Sequence, residues 1–193
     1  MSIHIIPVNK LSMKKQITLI IFLLSLFFFQ SPQISHATDL TLNNTPAQIY
    51  FSPKGGCTEA VVKEISHAKS EILIQAYSFT SAPIAKALVN AHKRGIKIEA
   101  ILDKSNVTGQ YSSATYLYNN NIPVFIDSIH AIAHNKVIII DKGTVITGSF
   151  NFTKAAENNN AENLLILKNE ELAKNYIENW NRHKEHSEGY ERR

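Results

Sequence analysis

Cysteine is almost absent from this chain of 193 residues, which contains Cys57 and no other thiol. An internal disulfide is therefore excluded, and the fold must be stabilised by packing or by association. Because no histidine or acid is next to Cys57, we interpret it as a small apolar filler. No internal repeat is visible, and no segment has the pattern of a helix-turn-helix or a zinc finger. These absences exclude repeat architectures and dedicated sequence-reading modules.

A long apolar run is also missing. The longest covers residues 17–29, which is shorter than the roughly 20 residues that a helix needs to span a bilayer. Lys14 and Lys15 precede this run, Pro32 breaks it, and small residues follow up to Ala37. This order of features is typical of a secretory signal peptide, and we expect cleavage after Ala37.

Removal of residues 1–37 leaves a single domain, 38–193, which is long enough to bury its own core. Export would place the protein in the periplasm or outside the cell, without stable membrane association after cleavage. Met13 is an alternative start, and an uncleaved membrane anchor is the alternative interpretation of the apolar run.

Excess positive charge is small once the leader is set aside. The whole chain has a formal charge of +4, but Lys10, Lys14 and Lys15 lie in the leader, which has no acid, so the mature balance is +1. Net charge therefore gives no argument for a nucleic-acid partner.

Strand and helix patterns alternate through the first half of the domain. Apolar residues recur at helical spacing after Cys57, after Ser81, within residues 112–119 and around Tyr176. Strands are predicted at 47–51, 71–76, 97–102, 124–126, 136–140, 144–147 and 162–167. The alternation predicts an α/β fold in which a mixed β-sheet is sandwiched by helices in a single domain.

One segment has the residues for chemistry on a phosphate ester. An imidazole can attack phosphorus, while an ammonium, a hydroxyl and a carboxamide hold the non-bridging oxygens as charge develops. If the two strands around it pair through the turn at 141–143, these groups converge at one end of the sheet. The motif consists of His134, Lys136, Asp141, Gly148, Ser149 and Asn151.

This spacing resembles that of the phospholipase D superfamily, which is named for its His-Lys-Asp signature. Residues 75–80 also resemble the small nucleases of that superfamily. The resemblance implies a phospholipase D/nuclease-like fold and a metal-independent phosphodiesterase without a cofactor. It further implies a non-specific endonuclease whose substrate is DNA, with RNA as an open alternative.

The resemblance also implies catalytic roles. His134 would be the nucleophile that forms a phosphohistidine, Lys136 would bind the phosphate, and Glu162 would orient the imidazole through its other nitrogen. Relatives with one copy of the motif pair as homodimers with a shared active site. His134 of the partner subunit would then protonate the leaving oxygen and later activate water.

The remaining motif residues divide into two groups. Ser149 and Asn151 would contact phosphate oxygens together with Lys136. Asp141 and Gly148 belong to the motif as structural residues, with Asp141 as the first residue of a turn.

Three other interpretations stay open. A phospholipid hydrolase would use the same motif, although the mature chain has no long apolar or amphipathic basic segment for a membrane surface. A metal-dependent nuclease needs a cluster of Asp, Glu and His, and no convincing cluster is visible. A binding module would keep the fold and lose turnover.

Several histidines have no partner in the motif. His67, His92 and His130 are interpreted as surface or loop residues. The polar tail from His183 onward, which includes His186, is expected to be a frayed, solvated end.

Overall fold

The computed structural model describes residues 37–109 and 112–191. The signal peptide predicted at 1–37 lies outside this part except for Ala37, so its cleavage stays a prediction, and Arg192 and Arg193 lie outside as well. The described residues from Leu40 onward form one compact unit that contains all the elements below. Among the residues described, none of the helices is long and apolar enough to cross a membrane.

The described residues form one sheet of eight strands flanked by helices. The strands are β1 (Ala47–Ser52), β2 (Glu71–Ala76), β3 (Lys97–Asp103), β4 (Val124–Asp127), β5 (Lys136–Ile140), β6 (Thr144–Gly148), β7 (Glu162–Lys168) and β8 (Glu188–Gly189). The helices are α1 (Cys57–His67), α2 (Ala82–Lys93), α3 (Ser105–Thr108), α4 (Ala114–Asn119), α5 (Lys154–Asn158) and α6 (Glu170–Glu185). The short α3, α5 and β8 have no counterpart in the sequence prediction.

The sheet is mixed, as predicted. Its strand order is β1-β7-β6-β5-β2-β3-β4-β8. Strands β2, β3 and β4 are parallel to one another, whereas the remaining neighbours are antiparallel. Parallel neighbours need a crossover, and α2 supplies it between β2 and β3.

Two apolar layers cover the sheet. The larger layer packs α1, α2 and α4 on one face, and the smaller packs α6 on the other. Strand β5 is buried along its whole length, because it lies between β6 and β2 and contributes to both layers. Trp180 of α6 is 2% exposed, and its indole N–H donates to the carbonyl of Ile74 at 2.9 Å. The helix predicted around Tyr176 is thereby confirmed.

The topology brings several strand ends to one edge of the sheet. Parallel β3 and β4 end there at Asp103 and Asp127, which are register partners. Strand β5 runs antiparallel to β2, so its first residue, Lys136, pairs with Ala76 at the end of β2. We call this end of the sheet, where β2, β3 and β4 finish and β5 begins, the carboxyl edge. It positions all the side chains described in the next section except Asp141.

The prediction of a frayed tail from His183 onward is wrong. Helix α6 continues to Glu185, the Ser187 hydroxyl donates to the carbonyl of His183 at 2.7 Å, and β8 pairs with β4. Tyr190 is 8% exposed, and its amide donates to the carbonyl of Val124 at 2.8 Å. The segment is polar in sequence, but its backbone groups and Tyr190 find partners on β4 that are distant along the chain.

Candidate active site

His134 lies at the carboxyl edge, two residues before β5 begins. The imidazole is exposed, and its ring centroid is 4.6 Å from that of Tyr77 in a tilted arrangement. The backbone is held in place because the Tyr77 amide donates to the carbonyl of Asn135 at 2.8 Å. The imidazole is therefore anchored at its base and accessible at its tip.

Lys136 is buried beside this imidazole. It is 7% exposed, and its Nζ donates to the carbonyl of His134 at 2.8 Å and lies 5.1 Å from the centroid of the Tyr77 ring. Burial lowers the pKa of Lys136, and the negative charge of Glu162 offsets part of that effect. Because β5 is an interior strand, Lys136 does not have the role of an edge-strand lysine that blocks aggregation.

Gly148 ends β6 and turns the chain towards the site. Its φ is +145°, and a Cβ placed there would lie 2.3 Å from the carbonyl oxygen of Asn163. That carbonyl accepts hydrogen bonds from the amides of both Ser149 and Phe150, at 3.1 Å each. The strand therefore ends at Gly148, close to the predicted end at residue 147, and the chain folds around Asn163.

The Ser149 hydroxyl is positioned by Asn163. Its Oγ accepts hydrogen bonds from the backbone amide of Asn163 at 3.0 Å and from Nδ2 at 3.3 Å. With two donors directed at its oxygen, the hydroxyl has its own proton to donate to a ligand. Sequence reasoning missed Asn163, since a residue that contacts the motif from a neighbouring strand has no spacing signature.

Asn151 is half-buried between two fully buried residues, Phe150 and Phe152. Phe152 packs edge-on against Phe79 with centroids 5.9 Å apart, and the Phe150 amide donates to the carbonyl of Asn163, so the backbone is held on both sides of Asn151. The Oδ1 atom of Asn151 is buried and has no hydrogen-bond partner within the part of the chain that the structure describes. Buried polar atoms without partners are uncommon and are found at functional sites.

Asp141 lies at the opposite end of β5 from His134 and does not contact the other motif residues. Its carboxylate accepts hydrogen bonds from the amides of Lys69, Ser70 and Glu71 and from the Ser70 hydroxyl, at 2.8–3.1 Å. Burial raises its pKa, but these hydrogen bonds outweigh burial and lower it overall. Asp141 thus fastens the loop between α1 and β2 to the start of the β5–β6 turn.

Glu162 begins β7 near Lys136. Its Oε1 accepts a hydrogen bond from Asn160 at 3.2 Å, and no hydrogen bond to His134 is found among the described residues. The orientation of the imidazole by Glu162 stays a prediction. What the geometry shows is a carboxylate whose charge acts on the Lys136 ammonium.

A second set of residues at the carboxyl edge was missed. Asp127, His130, His183 and His186 each offer one ligand atom, and all four atoms lie within 4.8 Å of one another. The expectation that no convincing cluster of Asp, Glu and His is present is therefore wrong, and the solvated end predicted for His183 and His186 is wrong as well. His130 is an exposed loop residue, as predicted. The signal was two pairs spaced three apart, Asp127 with His130 and His183 with His186, on segments that only the fold brings together.

The eight-stranded mixed sheet, with an exposed histidine and a buried lysine leading into its most buried strand, defines a phosphodiesterase of the phospholipase D type. The family described as "Cardiolipin synthase, PLD-like domain" matches residues 61–184, and the chain belongs to this family. The fold and the hydrolase class predicted from the motif are confirmed.

Individual relatives are similar over most of the domain. A phospholipase D of Rickettsia conorii is 45% identical over 148 residues, which are 77% of this chain and 74% of the relative. Nuc from Salmonella typhimurium, a phospholipase D family member, is 41% identical with a TM-score of 0.74 and is covered to 99%, against 76% of this chain. NucT from Helicobacter pylori is 28% identical with a TM-score of 0.71, and the match covers 100% of it and 76% of this chain.

Proposed function

We propose that this protein is a metal-independent, non-specific DNA endonuclease that works through a phosphohistidine on His134. The observation that carries the proposal is the burial of the Lys136 ammonium without a salt bridge. Its ammonium is buried beside an exposed imidazole and makes no salt bridge among the residues described. A buried cation without a carboxylate partner is costly unless an anionic ligand completes its environment.

The reaction has two balanced steps. A ring nitrogen of His134 attacks phosphorus and the bond to the leaving oxygen breaks, while His134 of the partner subunit gives that oxygen a proton. The partner's His134, now neutral, takes a proton from water, which attacks the phosphohistidine and releases His134. Lys136, Ser149 and Asn151 stabilise the non-bridging oxygens in both steps.

The need for a second imidazole supports a homodimer with a shared site, since the chain has one copy of the motif. A suitable surface lies next to His134. Ile129 and Ile132 are 67% and 57% exposed on the loop that leads to it. Pairing of two copies around this loop would cover both side chains and bring the two imidazoles together.

DNA is the proposed substrate because residues 75–80 resemble the small nucleases of the superfamily and Tyr77 of that segment contacts His134. One domain leaves little room for a sequence-reading module, and backbone contacts position DNA without reading its sequence. We further propose that the mature domain acts in the periplasm or outside the cell after cleavage at Ala37. Amino-terminal sequencing of the exported protein tests the cleavage site.

Phospholipid hydrolysis is the second candidate. The rickettsial relative is called a phospholipase D, and the exposed Ile129 and Ile132 would also suit contact with acyl chains. The chemistry at His134 would be unchanged, so only the group attached to the phosphate differs.

Plasmid nicking and release of headgroup from phosphatidyl lipid vesicles, measured on one preparation, separate the two candidates. We expect nicking that persists in EDTA, disappears in His134→Ala and is unchanged in His67→Ala, an exposed histidine far from the motif in sequence. Acid-labile phosphate should appear on His134 during turnover. Headgroup release with an intact plasmid would favour the lipid, while activity that Mg²⁺ restores after EDTA would reject the histidine nucleophile.

A further inference from the structure

Three imidazoles converge on one buried carboxylate at the carboxyl edge. Asp127, at the end of β4, has a fully buried side chain. Its Oδ2 lies 2.9 Å from Nδ1 of His130, 2.9 Å from Nδ1 of His183 and 3.4 Å from Nε2 of His186. We call these four residues the three-histidine cluster.

The geometry points to a structural Zn²⁺ site formed by the three-histidine cluster, and we propose this as a property separate from the phosphodiesterase chemistry. Zn²⁺ binds imidazole nitrogen and carboxylate oxygen at about 2.0–2.2 Å, almost always with four ligands at the corners of a tetrahedron in structural sites. Such bonds place neighbouring ligand atoms about 3.3 Å apart. The three nitrogen-to-Oδ2 distances of 2.9–3.4 Å match this spacing. The four residues offer ligand atoms that all lie within 4.8 Å of one another, so binding would draw the imidazoles closer together.

The donor set selects the kind of metal. Three nitrogens and one oxygen suit Zn²⁺ and related first-row ions, whereas Mg²⁺ and Ca²⁺ require oxygen ligands. Four protein ligands fill a tetrahedral shell, so the site has no open position for an activated water. We therefore assign it a structural role.

Surrounding contacts hold the ligands in place. Lys104 Nζ donates to the carbonyl of His130 at 2.9 Å, and the Ser187 hydroxyl donates to the carbonyl of His183 at 2.7 Å. The histidine side chains are 44% exposed at His130, 28% at His186 and 17% at His183. The cluster is therefore rigid on the side of Asp127 and accessible to an ion from solvent.

The location explains what the metal would do. His130 lies on the loop that leads to His134, and the loop is also held where the Ala133 amide donates to Asp103 at 2.8 Å. His183 and His186 lie at the end of α6, beside the short pairing of β8 with β4. A bound ion would fasten the end of the chain and this loop to the same strand end.

Metal content and affinity test the proposal directly. The purified protein is stripped with EDTA, dialysed and titrated with Zn²⁺ against a chromophoric chelator. We expect about one Zn²⁺ per chain and a rise in Tm on binding. In His183→Gln and His186→Gln we expect affinity to fall by about 100-fold or more, since loss of a partner behind a ligand already costs 10–100-fold. The control variants His67→Gln and His134→Gln should bind Zn²⁺ like the wild type.

The wild-type protein provides a second measurement that does not depend on the folding of any variant. Co²⁺ in place of Zn²⁺ should give the visible absorption of a tetrahedral ion with nitrogen and oxygen ligands. No stoichiometric binding in the wild type would mean that the histidines simply donate hydrogen bonds to Asp127, and this would overturn the proposal. Unchanged affinity in both folded His183 and His186 variants, or an octahedral Co²⁺ spectrum, would overturn it too.

Failure of the Zn²⁺ proposal is distinguishable from failure of the proposed nuclease function. His134→Gln should keep Zn²⁺ and lose nicking, whereas His183→Gln should lose Zn²⁺ and keep nicking at a temperature where it is folded. If EDTA slows nicking because Zn²⁺ is stripped, Zn²⁺ rather than Mg²⁺ should restore it, and the His183→Gln enzyme should be insensitive to EDTA.

Discussion

Replacement of Asp141 tests whether the acid of the His-Lys-Asp signature acts on the fold rather than on the substrate. Its Oδ1 accepts hydrogen bonds from the Ser70 amide, the Ser70 hydroxyl and the Glu71 amide, and its Oδ2 accepts one from the Lys69 amide. The residue also has a φ of +52°, in the left-handed region. Asp141→Asn alters the acceptors but keeps a residue that tolerates this backbone, whereas Asp141→Ala affects both features.

The expected magnitudes follow from these contacts. A hydrogen bond to a charged acceptor contributes about 1.5–3 kcal/mol, and because these donors lie near the surface water replaces part of the loss. Asp141→Asn keeps one oxygen, tolerates the left-handed backbone and turns an amide nitrogen towards Lys69, which should cost about 1.5 kcal/mol. Asp141→Ala removes every acceptor and adds about 1 kcal/mol of backbone strain, for a total of about 3–4 kcal/mol.

Urea unfolding monitored by the fluorescence of Trp180, the one tryptophan in the chain, measures these losses. With a slope near 2 kcal/mol/M, the unfolding midpoint should fall by about 0.7 M in the Asn variant and by about 1.5–2 M in the Ala variant. Glu178→Ala, which removes an exposed carboxylate in the middle of α6, should stay within about 0.5 kcal/mol of the wild type.

The contribution of Asp141 to the free energy of unfolding should decrease at low pH. The folded-state pKa of Asp141 is lowered, so its contribution to stability is complete above the ordinary carboxyl pKa of about 3.9 and is lost as pH falls below it. The gap between wild type and Asp141→Ala should be constant from pH 8 to pH 5 and then shrink. An Ala variant as stable as the wild type that has lost turnover would refute the structural role.

Three further predictions concern the site and the core. Lys136→Met should abolish turnover. Its free energy of unfolding in urea should be unchanged or raised by up to about 1 kcal/mol, because burial of the ammonium lowers its pKa and is costly. A large loss of stability would contradict this expectation. Gly148→Ala should lose about 3 kcal/mol, since the new Cβ meets the Asn163 carbonyl at 2.3 Å, whereas Gly189→Ala, which meets open space, should lose under about 1 kcal/mol. Burial raises the pKa of the Cys57 thiol to about 11, so thiol reagents at pH 8 should label the native protein at its unfolding rate, and rapid labelling would show that the thiol is exposed.

The local sequence pattern was sufficient to predict the strands and helices in which apolar residues recur with a strong period. The apolar run predicted a strand at 136–140, and the structure has all five residues of β5 buried. The helical spacing of apolar residues around Tyr176 predicted the helix that covers the smaller layer. These features follow from side-chain spacing alone, because burial on one face or on two leaves a period in the sequence.

Contacts between distant segments could not be predicted in this way. Asn163 shapes the turn after Gly148 from a neighbouring strand, and Asp127 gathers histidines from 3 to 59 residues away. The tail after His183 was misjudged for the same reason, since its partners lie on β4. No spacing rule encodes a pairing that depends on strand order.

The sequence by itself determined seven of the eight described strands, the main helices and the candidate groups for chemistry on phosphate, since residue type and spacing are local properties. Only the tertiary structure decided that Lys136 is buried beside an exposed His134, that Asp141 lies at the far end of the strand, and that three histidines surround Asp127. Those facts depend on which strands are neighbours and which edge each one ends on. The strand order is set by packing across the whole sheet.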